Sequence, residues 1–182
     1  MPGQVMLLNG SPSAGKTTLA RAVQELAPMP LFHRSLDDFL AGYLRRFRAE
    51  DDGTLFNRVM VGYLGSLAQL ALAENDIVAE AVIIPERVPL YLEALSRVPV
   101  LVVGVRCSLK VAQERERVRT DRTHPLDLDV PWFETVHQIP YDFEVDTTEP
   151  EVIEESASKL VALFTEPPSA RAFEALLHRE HT

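Results

Sequence analysis

The sequence predicts an α/β domain in three layers, with a parallel sheet covered by helices on both faces. Two observations carry this reading. Short apolar runs alternate with helical patterns along the chain, and the first run opens into Gly10-Ser11-Pro12-Ser13-Ala14-Gly15-Lys16-Thr17 directly before a helical segment. Each crossover between parallel strands needs a helix, so such alternation buries the sheet on both sides. Ligands then bind at the carboxyl ends of the strands.

The elements follow in order. Gln4 to Asn9 is an apolar run broken by glycine, the pattern of a buried parallel strand feeding a loop. Lys16 to Leu26 has helical spacing, with Leu19, Val23 and Leu26 on one side. Leu31 to Leu36 is a second strand ending at Asp37-Asp38, and Phe39 to Phe47 an amphipathic helix broken by Glu50 to Gly53. Phe56 to Asn75 is the longest helical pattern. Strands lie within Asp76 to Ile84 and Val98 to Val105, with a helix from Arg87 to Arg97 between them. Ser108 caps a charged helix reaching about Arg119, and Thr120 to Pro131 reads as a surface loop. Tyr141 to Asp146 is a fifth strand, Glu149 to Phe164 a helix, and Ala170 to Arg179 a last short helix.

Composition narrows the class. A chain of 182 residues is long enough for one sizeable core, so a single domain over 1–182 is expected, with a lid at about 115–131 and a C-terminal helix at about 169–179. The net charge of −9 argues against nucleic acid as a partner, because such binding needs a basic field. No run reaches membrane-spanning length, and the first residues lack a basic leader region; a cytoplasmic protein without membrane partners is the expectation. Cys107, the lone cysteine, has no partner for a disulfide or zinc cluster and reads as a small buried residue. Self-association into a homo-oligomer is left open.

The segment Gly10 to Thr17 fits G-x-x-x-x-G-K-[ST]. In that spacing backbone N–H groups converge on a phosphate, Lys16 reaches the β and γ oxygens, and Thr17 can ligate Mg²⁺. The helix that follows, with Thr18 in its first turn, presents its positive end to the same anion. ATP and Mg²⁺ are the expected cofactors, although the loop alone does not separate a kinase from other nucleotide-driven proteins.

Three further features suit phosphoryl transfer. Asp37, at the end of the second strand, is placed to take a proton from an attacking hydroxyl; Asp38 is the alternative, and helix capping is the structural one. Arg115, Arg119 and Arg122 are spaced four and three apart, one face of a helix on which a triphosphate would offset the like-charge repulsion. Ordinary surface pairs, Glu114 with Arg117 and Glu116 with Arg119, are the competing account. Glu80 is an acid inside an apolar run and a candidate for holding Mg²⁺ through water.

At these residues the sequence resembles the chloramphenicol phosphotransferase family. The likeness lies in Leu8-Asn9-Gly10 through Lys16, Leu36-Asp37, Val103 to Cys107, the set Arg115, Arg119, Asp121 and Arg122, Val136-His137, and Tyr141 to Thr148. It implies a three-layer P-loop kinase with five parallel strands ordered 2-3-1-4-5 and a helical arginine lid. It implies ATP-dependent phosphorylation of a small molecule's hydroxyl, with Asp37 as general base and Asp146, Thr147 and Thr148 near the adenine. Phe39 to Tyr63 and Glu80 to Tyr91 match poorly, and Ala81 stands where the family carries a second acid. Two other readings share the loop. One is a nucleotide switch without acceptor phosphorylation; the other is a toxin-type kinase of a sugar nucleotide, which should have a more basic acceptor pocket than Phe56, Met60, Ile83, Ile84 and Tyr91 suggest.

Overall fold

A computed structural model describes residues 1–42, 53–119, 130–166 and 172–180. Five parallel strands form one sheet in the order β2-β3-β1-β4-β5, as expected. They are β1 Val5–Asn9, β2 Leu31–Ser35, β3 Asp76–Ala81, β4 Val100–Arg106 and β5 Phe143–Asp146. The three central strands are almost wholly apolar because helices cover both of their faces.

Strand alternation divides the core in two. Val5, Leu7, Ile77, Ala79, Val100 and Val102 face α3 (Thr54–Leu72), α4 (Val88–Leu95) and α8 (Ala172–Glu180). Met6, Leu8, Val78, Leu101 and Val103 face the other way, toward α1 (Lys16–Leu26), α5 (Leu109–Val118) and α7 (Val152–Thr165). Two short helices complete the set, α2 (Leu36–Ala41) and α6 (Val130–Thr135).

Several boundaries differ from the expectation. The second strand stops at Ser35, whose hydroxyl accepts the Asp37 N–H, so Asp37 and Asp38 begin a helix where a strand end was read. Helix α2 therefore starts three residues early; the rest of the predicted Phe39 to Phe47 helix lies outside the described residues. The charged helix is capped by Ser108 as read, and ends at Val118 with Arg119 extended. Leu26, predicted on the apolar side of α1, is 43% exposed while Leu19 and Val23 are fully buried. Of the predicted loop, 120–129 lies outside the described residues, and α6 already begins at Val130.

Gly104 in β4 shows how tightly the loops at the sheet's carboxyl edge pack. A Cβ there would stand 2.6 Å from the Tyr141 ring, and Tyr141 is itself held through its hydroxyl by Asn9. Gly104→Ala is expected to lower stability by about 1–3 kcal/mol, the usual cost of overpacking. Chemical denaturation measures it, and an unchanged midpoint would mean that the ring does not pack there.

Candidate active site

The phosphate loop joins β1 to α1 across the carboxyl edge of the sheet. Its first glycine is required by packing, since a Cβ on Gly10 would lie 2.2 Å from the Val105 carbonyl oxygen. Its second, Gly15, has φ 88°, in the left-handed region that favours glycine. Ser13 also adopts that region, at φ 61°, and its hydroxyl donates to Glu116 at 2.5 Å. Glu116 is 1% exposed, so the residue read as a surface partner of Arg119 instead joins α5 to the loop. Sequence reasoning missed this contact because helical spacing identifies neighbours on α5 but not what packs across it.

Lys16 is 8% exposed, and its Nζ donates to the carbonyls of Gly10 and Ser11, both at 2.8 Å. Ser11 is fully buried, and its hydroxyl has no hydrogen-bond partner among the described residues. Thr17 Oγ1 donates to Glu80 Oε2 at 2.9 Å, and Glu80 Oε1 lies 2.8 Å from His33 Nε2. These partners explain an acid that is only 7% exposed inside an apolar strand. His33 pairs with Val78 in the ladder, so Glu80 is its diagonal neighbour; pairing register, which the sequence does not display, was the missing signal.

Beside the loop lies a cavity of about 470 Å³, within the usual size range of small-molecule sites. Pro12, Ser13 and Gly15 to Thr18 of the loop line it together with Glu80, Arg115 and Arg119. Asp37 also lines it, with Leu36, Leu40, Phe56 and Val82; Asp38 does not. Arg119 Nη2 stands 4.0 Å from Asp37 Oδ2 across the opening. Gly10, Ser11 and Ala14 lie behind the lining, and Arg122 lies outside the described residues.

Arg115 and Arg119 thus share a cavity, though not a helical face: the first is on α5, and the second is in the extended residue after it. Arg115 donates to the Thr147 carbonyl at 2.7 Å. Thr147 is fully buried, with its hydroxyl 2.5 Å from the Ala14 carbonyl and 3.0 Å from that of Arg106. Thr148 Oγ1 accepts the Ser108 N–H, and Asp146 Oδ1 accepts that of Thr148. These three residues brace the loop and α5 and do not line the cavity.

The acceptor-side reading needs a larger correction. Of Phe56, Met60, Ile83, Ile84 and Tyr91, only Phe56 lines the cavity. Met60, Ile83 and Tyr91 are at most 3% exposed and belong to the core, where α3 and α4 turn Met60 and Tyr91 toward the sheet and Ile83 follows β3. Burial pushes the Tyr91 phenol well above its ordinary range. Arg87, which sequence reasoning passed over as a helix start, lines the cavity instead.

A polar cluster supports the site from below. Asn9 donates to the Val136 carbonyl at 2.7 Å and to the Tyr141 hydroxyl at 2.9 Å, and accepts the Ile83 N–H at 2.7 Å. It ties the loops after β1 and β3 to the chain entering β5. His137 Nδ1 lies 2.9 Å from the same phenol. Burial, helped by Arg106, lowers the His137 pKa to about 4, so the ring is neutral at pH 7. Burial likewise raises the pKa of the Cys107 thiol, the buried cysteine that composition led us to expect.

A 2-3-1-4-5 parallel sheet and a phosphate loop opening α1, beside a cavity that the loop lines, define the class: this is a P-loop kinase. Residues 3–164 match the family of chloramphenicol phosphotransferase-like proteins, and the chain belongs to that family. Among solved structures it is similar to a sugar kinase from Janibacter (20% identity, TM-score 0.63, covering 89% of this chain and 95% of that one). It is also similar to shikimate kinase from Acinetobacter baumannii in complex with shikimate (17%, 0.61, 90% and 92%). The tunicamycin resistance protein of Deinococcus radiodurans is comparably similar (17%, 0.63, 91% and 99%). At these identities the likeness is one of fold. No curated protein sequence matches the chain.

Proposed function

We propose that the protein transfers the γ-phosphoryl group of ATP to a hydroxyl of a small, partly apolar molecule, as one domain spanning 1–182. The observation that carries this is a cavity lined both by the phosphate loop and by Asp37, with apolar residues Leu36, Leu40, Phe56 and Val82 beside them. ATP binds with its phosphates along Gly10 to Thr18, where the loop and the start of α1 supply N–H groups and Lys16 a charge. The acceptor hydroxyl lies between Asp37 and the γ-phosphate. Its oxygen bonds to phosphorus as the bond to the β-γ bridging oxygen breaks, Asp37 takes the hydroxyl proton, and ADP leaves. Asp146 to Thr148 border the adenine side.

The donor set fits Mg²⁺. Thr17 and Glu80 offer hard oxygen donors 2.9 Å apart, and the described residues contain no group of three or more Asp, Glu, His or Cys placed to hold a metal ion by themselves. Mg²⁺ is commonly held by one or two protein oxygens together with substrate phosphates rather than by a protein cage. Bound there, it would neutralise phosphate charge.

Arg115 and Arg119, which line the cavity, are the groups that stabilise the charge of the transferring phosphoryl. Arg119→Ala is expected to lower kcat roughly 10- to 10²-fold, the worth of one charged hydrogen bond, while ATP affinity changes much less, because the contact strengthens as the phosphoryl group departs. Single-turnover rates and nucleotide titration separate the two, and equal losses in both would make Arg119 a ground-state contact only.

Assaying a panel of hydroxylated antibiotics, chloramphenicol among them, with nucleosides and sugars tests the function itself. Acceptor-dependent ADP release and a phosphorylated product are expected. ATP turnover that no acceptor stimulates would favour a switch. Phosphorylation of an antibiotic would make resistance the role.

A further inference from the structure

The acceptor half of the cavity carries a cation that the phosphate chemistry does not explain. Lys16 enters from the β1–α1 loop, and Arg115 and Arg119 enter from the end of β4 through α5. Arg87 comes from a different element, the short 3-10 turn Pro85–Arg87 after β3. It lines the cavity together with Phe56, Leu36, Leu40, Val82 and Asp37.

Two features fix and spend it. The turn starts at Pro85 and is closed by the Arg87 N–H bonding to the Ile84 carbonyl, so the backbone is set. The guanidinium sits over the Phe56 ring, 4.6 Å from its centroid. Stacking of this kind orients the plane while leaving the N–H edge available. Among the described residues no carboxylate pairs with Arg87, although acids outnumber basic residues 27 to 18 in the chain. Asp37, the acid on the same wall, is instead 4.0 Å from Arg119. A half-buried arginine with five donors, stacked on an aromatic ring, is costly to leave without an anion.

We propose that the acceptor is an anionic alcohol, a hydroxylated molecule with a flat apolar body and a carboxylate, and that Arg87 is the residue selecting it. The carboxylate takes the guanidinium edge as a two-point contact, and the body lies along Phe56, Leu36 and Leu40. The hydroxyl is then held toward Asp37. This rests on the phosphotransferase reading and makes the acceptor wall more basic than the sequence suggested.

The test uses matched pairs that differ only in charge: para-(hydroxymethyl)benzoate with its methyl ester, and the cyclohexane analogues of both. Binding is measured by calorimetry with a non-hydrolysable ATP analogue present, and phosphorylation with ATP by mass spectrometry. In the parent the carboxylates are expected to bind at least about 10-fold tighter than their esters, the scale of one charge-assisted hydrogen bond. Arg87→Leu should abolish that preference, and Arg87→Lys, which keeps charge but loses the fork, should restore part of it. If Arg87→Leu does not fold, Arg87→Lys and Phe56→Leu carry the comparison, each with a reduced preference. An ester that binds as well as its carboxylate in the parent, or a preference untouched by these changes, overturns the proposal. A carboxylate preference in binding without any phosphorylation would leave the anion site standing and sink the phosphotransferase reading instead. Phosphorylation of esters and carboxylates alike would do the reverse.

Discussion

Lys16→Ala is expected to reduce phosphoryl transfer by on the order of 10²- to 10³-fold or more, as loss of a preorganised charge at a reacting phosphate does. The side chain is only 8% exposed and spans two loop carbonyls at 2.8 Å. The substitution therefore removes two charged hydrogen bonds as well as the charge, and some loss of stability accompanies the loss of activity. The loop keeps other supports: the Gly10 N–H bonds to the Ala81 carbonyl, the Ala14 N–H to that of Ser11, and Thr147 to that of Ala14. A cooperative melt within several degrees of the parent is expected, since about 1 kcal/mol moves a domain of this size by roughly 2–4 °C. Turnover and thermal denaturation on the same preparation check both halves. Undiminished turnover from a folded variant would remove Lys16 from the chemistry and with it the kinase assignment of the loop.

What the sequence shows well here is whatever depends on local spacing. The five strands and the phosphate loop are legible because apolar runs of strand length and one eight-residue motif carry them, whereas the strand order came only with the family resemblance. Contacts across elements are not. Glu116 looks like half of a surface ion pair along α5, yet it packs against Ser13; His33 looks like an ordinary residue of an edge strand, yet it reaches Glu80 through the β2–β3 register. The acceptor wall failed for the same reason. Met60 and Tyr91 are apolar positions near the right stretch of chain, but helix rotation turns them toward the sheet while Phe56, and Arg87 in the turn before α4, line the cavity. Arg119 lies 4.0 Å from Asp37 even though the helix meant to carry it ends one residue earlier.

Asp37→Asn is expected to reduce acceptor phosphorylation by roughly 10²- to 10⁴-fold, the range that general-base catalysis supplies, with little change in ATP affinity. The motivation is now geometric. Asp37 lies in the first turn of α2, 64% exposed, and it lines the cavity that the phosphate loop faces. The helix does not need its carboxylate as a cap, since Ser35 already accepts the Asp37 N–H at 3.1 Å. Asparagine keeps the size and that backbone bond while removing charge and proton affinity, so the fold should lose at most the few tenths of a kcal/mol to about 1 kcal/mol that an acid contributes near a helix N-terminus. The 4.0 Å approach of Arg119 adds little on an exposed surface. Steady-state phosphorylation of the best acceptor, nucleotide titration and a melt on one preparation distinguish the cases. If the variant works within about threefold of the parent, the base is not Asp37, because a general base contributes far more than that. If Asp38→Asn causes the loss instead, the first turn of α2 is rotated so that the neighbouring carboxylate meets the acceptor. If both variants are active and ATP hydrolysis no longer responds to any acceptor in either, the protein is a nucleotide switch whose cavity serves another purpose.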